Sequence, residues 1–188
     1  MNRQHALGRE MKNMKFIGYT GKNKRGTIDI FDNVIVREDA SIIAPALTEV
    51  SGYVIVRKGG NLTAPALTKA GNVYVQEGAS FTAPALTKIS GYVIVQEGAS
   101  FTAPALTKAG NVIVREGGNF IAPALTEVSG YVIVRKGGNL TAPALTWVSG
   151  NVIVREGGNL TAPALTWVSG NVCVQKGGNL TAPKLNQK

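Results

Sequence analysis

Few residues of this sequence have side chains suited to catalysis or metal binding. Histidine and cysteine, the commonest acid–base, nucleophilic and metal-binding side chains, occur once each among the 188 residues, as His5 and Cys173. A single cysteine excludes an internal disulfide and a cysteine-cluster metal site, and a single histidine excludes a multi-histidine site. Asp29, Asp32 and Asp39 lie close together but show no catalytic pattern, so we interpret them as turn and strand-edge residues. The sequence therefore predicts no metal site and no histidine-based catalysis.

Glutamates beside glycines are the remaining candidates for catalysis or phosphate binding. They recur at Glu77, Glu97, Glu116 and Glu156. No Lys-Ser or Lys-Thr follows the glycines, although a phosphate-binding loop of the P-loop type requires that pair. We interpret these glutamates as solubilising charges in turns and predict a non-enzymatic protein without a cofactor.

Positive charge is concentrated at the beginning of the chain. The formal net charge is +9, and residues 1–26, here called the basic leader, carry seven basic side chains and one acidic one. The basic side chains are Arg3, Arg9, Lys12, Lys15, Lys22, Lys24 and Arg25. Such a segment can contact nucleic acid, cap a solenoid or remain solvated, and the sequence leaves these three interpretations open.

Targeting signals are not evident in the sequence. No apolar run reaches the length of about 20 residues that spans a bilayer. The first residues lack the apolar middle of a secretory signal peptide. Together with the single cysteine, these features predict a cytoplasmic protein that has no membrane partner.

An internal repeat dominates the sequence from residue 33 to residue 185. The dipeptide Ala-Pro recurs every 19 or 20 residues, with its proline at Pro45, Pro65, Pro84, Pro104, Pro123, Pro143, Pro163 and Pro183. A period near 20 residues predicts a solenoid and is too short for a repeat of paired helices. We therefore divide the chain into the basic leader and a repeat domain, residues 27–188.

The pattern within one repeat predicts strands and turns. Residues 53–57 are β-branched or aromatic except for the last, which is typical of a strand, and Gly59-Gly60 marks a turn. Residues 61–64 form a second extended stretch, followed by Pro65. Because proline has no N–H for a ladder, we expect one parallel sheet and an irregular opposite wall.

The repeat also resembles a known family. One copy reads Leu47-Thr-Glu-Val50-Ser-Gly52-Tyr-Val54-Ile-Val56, followed by Leu62 and Ala64-Pro-Ala-Leu67. This spacing resembles the leucine-rich-repeat family, and more closely the receptor L-domain type of right-handed β-helix. The resemblance implies an all-β, right-handed parallel β-solenoid of about eight coils with a short N-terminal leader or cap.

What the resemblance implies about function is less specific. Such solenoids mostly bind other molecules, and the partners are diverse. Receptor L domains belong to disulfide-stitched ectodomains, from which this single-cysteine chain departs. The near-identical copies also resemble those of short repeat proteins of bacteria and their phages.

Strand alternation predicts which side chains face outward. The valines of Val-x-Val are expected to face inward, and the residue between them outward. We call these outward residues the outer stripe; they are Ile35, Ile55, Tyr74, Ile94, Ile113, Ile133, Ile153 and Cys173. The row before it, the Asn/Tyr row, is Asn33, Tyr53, Asn72, Tyr92, Asn111, Tyr131, Asn151 and Asn171. The row after it, the Arg/Gln row, is Arg37, Arg57, Gln76, Gln96, Arg115, Arg135, Arg155 and Gln175. An apolar outer row favours a covering partner, although β-branched residues also simply favour strands.

Two tryptophans form a further candidate contact. Trp147 and Trp167 occupy the position that is Glu49, Lys69, Lys88, Lys108 and Glu127 in the earlier coils. A position that accepts both charges is expected to be exposed. The pair is therefore interpreted as a protein or nucleobase contact or as packing against the C-terminal tail.

These observations predict a non-enzymatic interaction solenoid that binds a protein partner, or itself as a homo-oligomer, through its sheet face. The predicted contact residues are Ile55, Tyr74, Ile94, Ile113, Ile133, Ile153, Tyr53, Tyr92, Tyr131, Arg115, Arg135, Arg155, Trp147 and Trp167. The alternative is a binder of nucleic acid or nucleoprotein, such as a phage-type inhibitor of a host defence machine, using the basic leader, the arginines and the tryptophans. A minor alternative is ice binding by two threonine rows. The strand edge at residues 171–175 is further expected to pair with another copy or a partner.

Overall fold

The computed structural model describes residues 16–21 and 30–185 of the chain. Within these ranges the chain contains only strands, turns and bends, and parallel strands about 20 residues apart stack into a β-solenoid of about seven turns. The predicted all-β solenoid is therefore confirmed. No helix in residues 16–21 and 30–185 has the length and apolarity to cross a membrane.

The strands are short and follow the repeat. In chain order they are β1 (Phe16–Gly21), β2 (Ile30–Val36), β3 (Ser41–Ile43), β4 (Glu49–Val56), β5 (Asn61–Thr63), β6 (Lys69–Val75), β7 (Ser80–Thr82), β8 (Lys88–Ile89), β9 (Tyr92–Val95), β10 (Ser100–Thr102), β11 (Lys108–Ala109), β12 (Asn111–Val114), β13 (Asn119–Ile121), β14 (Glu127–Val128), β15 (Val132–Val134), β16 (Asn139–Thr141), β17 (Trp147–Val148), β18 (Val152–Val154), β19 (Asn159–Thr161), β20 (Trp167–Val168), β21 (Val172–Val174) and β22 (Asn179–Thr181).

Two sheets enclose the core. The small sheet consists of eight strands, β3, β5, β7, β10, β13, β16, β19 and β22. The large sheet contains the other 14 strands. Its first strand, β1, pairs antiparallel with β2, whereas the solenoid strands pair parallel with the strands one coil away, in register apart from shifts between β2 and β4 and between β4 and β6.

The expectation of an irregular wall opposite the large sheet is wrong, because the small sheet forms that wall. Proline does not interrupt this sheet, since it lies just beyond the strand. In the second coil Ala64 ends the extended segment, Pro65 follows it, and the Leu67 N–H donates to the Ala64 carbonyl at 3.3 Å. Proline thus occupies the second position of a β-turn, where its fixed φ is favourable and its missing N–H is not needed.

The other corner of each coil is a turn that requires a positive φ. The Gly60 N–H donates to the Arg57 carbonyl at 2.8 Å, and Gly59 has a φ of 65°. Glycine adopts this conformation readily. Asp39 holds the same place in the first coil with a φ of 54°, which short polar side chains tolerate.

A bulge accounts for the alternation between 19-residue and 20-residue coils. Strands β4 and β6 remain paired on both sides of it, while Ser51 and Gly52 oppose Gly71 alone. A side chain at Gly52 would collide with the carbonyl oxygen of Asp32 in the preceding coil. We call this feature the Ser-Gly bulge. It accommodates the extra residue of the longer coil while the strand pairs before and after it are kept.

The core consists of apolar ladders, as strand alternation predicts. Val54, Val56 and Leu62 are fully buried, as are their counterparts in the inner coils. The Phe101 ring stacks on those of Phe81 and Phe120, each with centroids 4.9 Å apart. An asparagine ladder runs beside the core: Nδ2 of Asn139, Asn159 and Asn179 donates to Oδ1 of the asparagine one coil earlier, at 2.9–3.0 Å.

Candidate interaction surface

The outer stripe faces away from the core on the large sheet, but it is less exposed than the sequence suggests. Its members pair in register, for example Ile94 with Ile113 and Ile113 with Ile133. Except for Cys173, which is exposed, these side chains are half-buried. The reason is that identical branched side chains on adjacent strands lie about 5 Å apart and cover one another. The stripe therefore forms a continuous apolar ridge with limited open area.

Tyrosine rings extend this apolar surface at one side. Tyr53 and Tyr92 are exposed. The Tyr53 ring lies 5.8 Å from that of Tyr74, and the Tyr92 ring lies 6.5 Å from that of Tyr131 in an edge-to-face arrangement. Burial is the main cause that raises the pKa of Tyr74 and of Tyr131 above the usual value of tyrosine. The tyrosines thus combine an apolar body with a hydroxyl available to a partner.

The asparagines of the same row have a structural role that the sequence did not suggest. The side-chain oxygens of Asn33, Asn72, Asn111 and Asn151 accept the backbone N–H of Tyr53, Tyr92, Tyr131 and Asn171, at 2.8–3.1 Å. These bonds lie directly beside the Ser-Gly bulge, where the regular ladder is interrupted. The only sequence signal for them was asparagine in this row one coil before four of the five Ser-Gly pairs, those at Ser51, Ser90, Ser129 and Ser169.

The Arg/Gln row borders the stripe on its other side and carries mixed charge. A shallow concavity of about 230 Å³ in this region is lined by Glu77, Gln96, Glu97, Arg115, Glu116 and Arg135. The Arg135 Nε is buried and has no hydrogen-bond partner in the structure. Because glutamates stand beside the arginines, this part of the surface is not the uniformly basic track that a nucleic-acid backbone favours.

The two tryptophans are exposed, as their position predicts. Trp147 and Trp167 pair in register on neighbouring strands and are 50% and 47% exposed. Together with Thr146 and Thr166 they line a groove of about 420 Å³. The Trp167 indole N–H donates to the Ser169 hydroxyl at 3.1 Å. The pair lies on the large sheet, which also carries the outer stripe.

The basic residues predicted to contact nucleic acid, Arg3, Arg9, Lys12, Lys15, Lys22, Lys24 and Arg25, all lie outside the described residues. Strand β1, which falls between Lys15 and Lys22, is described and pairs with β2 along six residue pairs. The segment predicted as a leader or cap therefore contributes a strand to the large sheet. Its role in binding stays a prediction.

One of the two threonine rows is engaged in the solenoid itself. The hydroxyls of Thr68, Thr87, Thr107, Thr126, Thr146 and Thr166 each donate to the carbonyl of the corresponding threonine one coil earlier, at 3.0–3.2 Å. Since these donors are committed to the backbone, the row offers few free hydroxyl donors for ordering water.

Comparisons with protein-family models, with curated proteins and with solved structures find no match for this chain. The resemblance to leucine-rich repeats therefore rests on the repeat pattern alone. In residues 16–21 and 30–185, no three histidine, cysteine, aspartate or glutamate side chains cluster in a way that could hold a metal ion.

Proposed function

We propose that this protein is a non-enzymatic interaction solenoid that binds a protein partner through the outward face of its large sheet. The observation that carries the proposal is the pair of in-register, half-exposed tryptophans on the sheet that also presents the outer stripe. Buried aromatic anchors surrounded by apolar and polar contacts are typical of the energetic centre of protein interfaces.

The composition of this face supports a protein partner over a nucleic acid. Tyrosine, tryptophan and arginine are enriched at protein interfaces, whereas lysine and glutamate are depleted there. Eight strands about 4.8 Å apart make the stripe about 34 Å long, which is the dimension of an ordinary interface. Glu127 lies in the tryptophan row, where it forms an ion pair of 2.8 Å with Lys108, and glutamates also flank the arginines. A phosphate backbone would find repulsive charges along this path.

The test replaces the centre of the stripe with positive charge. In the face variant, Ile94, Ile113 and Ile133 become lysine. In the matched control, Thr102, Ile121 and Thr141 become lysine; these half-buried residues lie in register on the small sheet. Both variants change the same number of residues by the same charge, so a difference between them reports the face and not the charge. Circular dichroism and thermal unfolding verify that both variants are folded.

Binding is measured by capture from nuclease-treated host lysate, followed by titration of the purified retained protein. We expect the wild type and the control to bind that protein and the face variant to bind it at least about 100-fold more weakly. The reason is that binding would bury three lysine charges without a partner or would leave a gap at the centre of the interface. Equal affinity of the face variant and the control would overturn the proposal. Retention that occurs only from lysate without nuclease treatment and falls steeply with added salt would instead support the nucleic-acid alternative.

A further inference from the structure

The last described coil exposes apolar residues that every inner coil buries. Val172 and Val174 are 38% and 43% exposed, whereas their counterparts Val152 and Val154 are fully buried. Strands β20, β21 and β22 each pair with one earlier strand, and no later strand of the described chain adds to them. A concavity of about 790 Å³ opens there, lined among others by Val172, Val174 and Leu180.

The hydrogen-bonding groups at this edge can be assigned from the preceding coil. The Val152 N–H donates to the Asn171 carbonyl at 2.9 Å, and the Val154 carbonyl accepts the Gln175 N–H at 2.8 Å. By the repeat, the N–H and carbonyl groups of Val172 and Val174 point toward the open end. Val172 and Val174 thus form a sheet edge whose N–H and carbonyl groups can pair with one more strand.

The opposite end of the large sheet is already closed. There β1 pairs antiparallel with β2, from Phe16–Val36 to Gly21–Ile30. This pairing shows that the edge of the solenoid accepts an antiparallel strand. It also means that a second copy stacking head to tail would have to displace β1. No strand of the described chain covers the edge at β21, so pairing there displaces none of the described strands.

We propose that the β21 edge pairs antiparallel with the β21 edge of a second copy, around a two-fold axis at Cys173. Val172 then lies opposite Val174 of the second copy, and the two valine pairs exchange four backbone hydrogen bonds. Cys173 lies opposite Cys173 of the second copy in a non-hydrogen-bonded pair, with Cα atoms about 4.5 Å apart. The backbone edge of β21 lies two coils beyond Ile133, the nearest residue changed in the face variant, so the failure of this proposal and that of the proposed function are distinguishable.

Packing and charge are compatible with this arrangement. Val172, Val174 and Leu180 lie in the concavity and would be covered by the same residues of the second copy. Lys176 stands three residues from the axis, so its two copies are separated by about 20 Å along the strand direction. This exceeds the Debye length of about 8 Å at physiological salt, so the like charges are screened. A symmetric pairing of one patch with itself is also the commonest way that proteins form dimers.

The single cysteine makes the register testable. Sedimentation of the full chain is expected to show a dimer, and mild oxidation with copper phenanthroline is expected to link Cys173 to Cys173 of the second copy. In that step the two thiols lose two protons and two electrons to the added oxidant as the S–S bond forms. The matched control is Ile153→Cys in the Cys173→Ser chain, one coil from the edge on the same row, and it is expected to remain unlinked. A monomeric wild type, or equal linking of both chains, would overturn the proposal.

A proline at the edge tests the backbone pairing. The Val172 N–H points toward the open end and makes no hydrogen bond within the described part of the solenoid. Val172→Pro therefore removes two hydrogen bonds from the dimer, one for each copy, and none from the coil. We expect the dissociation constant of the dimer to rise about 30-fold or more, with circular dichroism unchanged. Val174→Lys, which places charge in the exposed apolar patch, is expected to abolish the dimer as well. A dimer that survives both substitutions would assign self-association to another surface and overturn the proposal. So would a monomer in which the Val172 and Val174 amides exchange slowly, because the chain itself would then cover the edge.

Discussion

The inner coils and the last described coil have nearly the same sequence but very different environments. Val154 is fully buried and Val174 is largely open, although both belong to the same Val-x-Val position. Leu160 is fully buried, whereas Leu180 is only partly buried. The difference is the next coil, which covers one side of every residue in an inner coil and has no counterpart beyond the last described coil. In this solenoid, burial is therefore a property of neighbouring coils rather than of the residue or its own strand.

The largest expected effect is at the aromatic stack. Phe101→Ala removes a ring that contacts a phenylalanine on each side, so we expect a loss of about 3–5 kcal/mol in unfolding free energy. Leu180→Ala, at the open end, is expected to lose only about 1 kcal/mol. Urea unfolding followed by circular dichroism provides both values. Both substitutions are made in the Val172→Pro chain, so that a second copy does not cover Leu180. Equal losses of unfolding free energy at Phe101 and Leu180 would contradict the comparison.

The asparagine ladder provides the next test. Asn139 shares one side-chain hydrogen bond with Asn119 and one with Asn159, whereas Asn179 makes one, with Asn159. At about 1 kcal/mol per bond, Asn139→Ala is expected to cost about 2 kcal/mol and Asn179→Ala about 1 kcal/mol. The same unfolding experiment measures both losses. A larger loss at Asn179 would show that the position in the array does not determine the effect.

Substitution of a turn glycine is expected to cost the same free energy of unfolding in an inner coil and in the last described coil, because its backbone conformation depends only on the turn itself. Gly98 has a φ of 62° with open space around it, and Gly177 has a φ of 80° with only ordinary contacts nearby. Substitution by alanine at either position forces a non-glycine residue into the left-handed region, at a cost of about 1 kcal/mol. The expected result is equal loss at both sites in thermal or urea unfolding. Unequal losses would mean that the turns depend on their neighbours as the core does.

The smallest expected effect is a change of stability at high pH. Burial, followed by the negative charge of ionised Tyr53 and Tyr92, raises the pKa of Tyr74. The folded chain therefore holds this proton more tightly than the unfolded chain. The resulting stabilisation is complete below about pH 10, the usual pKa of tyrosine, and is lost as the pH rises through the folded pKa. Ultraviolet titration of the wild type against Tyr74→Phe should show one phenol that ionises late, and no difference would contradict the assignment.

Much of the fold could be predicted from the sequence, because the same local pattern occurs in eight copies and each copy predicts the same strands and turns. The alternation around Val54 and Val56 predicted the inward ladders. The wall opposite the large sheet was mispredicted, because the missing N–H of Pro65 was taken to prevent a continuous ladder on that side, although Pro65 lies in the turn after residues 61–64. A missing N–H excludes proline from a ladder but not from the residue that follows one.

The surface was harder to predict than the core. The exposure of Trp147 and Trp167 could be inferred from the charged residues at the same position in earlier coils. The half-burial of Ile94 and Ile113 could not, since it depends on contacts between strands 19 or 20 residues apart. Nor does the sequence indicate that asparagines such as Asn111 complete the backbone pairing beside a bulge, because that role requires the register of two coils.

The Ser-Gly bulge has a consequence for how such a chain can change over generations. Units of 19 and of 20 residues stack interchangeably, as β4 on β6 shows, so duplication or loss of either unit leaves all remaining ladders intact. Each added unit lengthens the protein by about 4.8 Å. The length of the solenoid is therefore adjustable in fixed steps by recombination between repeats, without redesigning any coil.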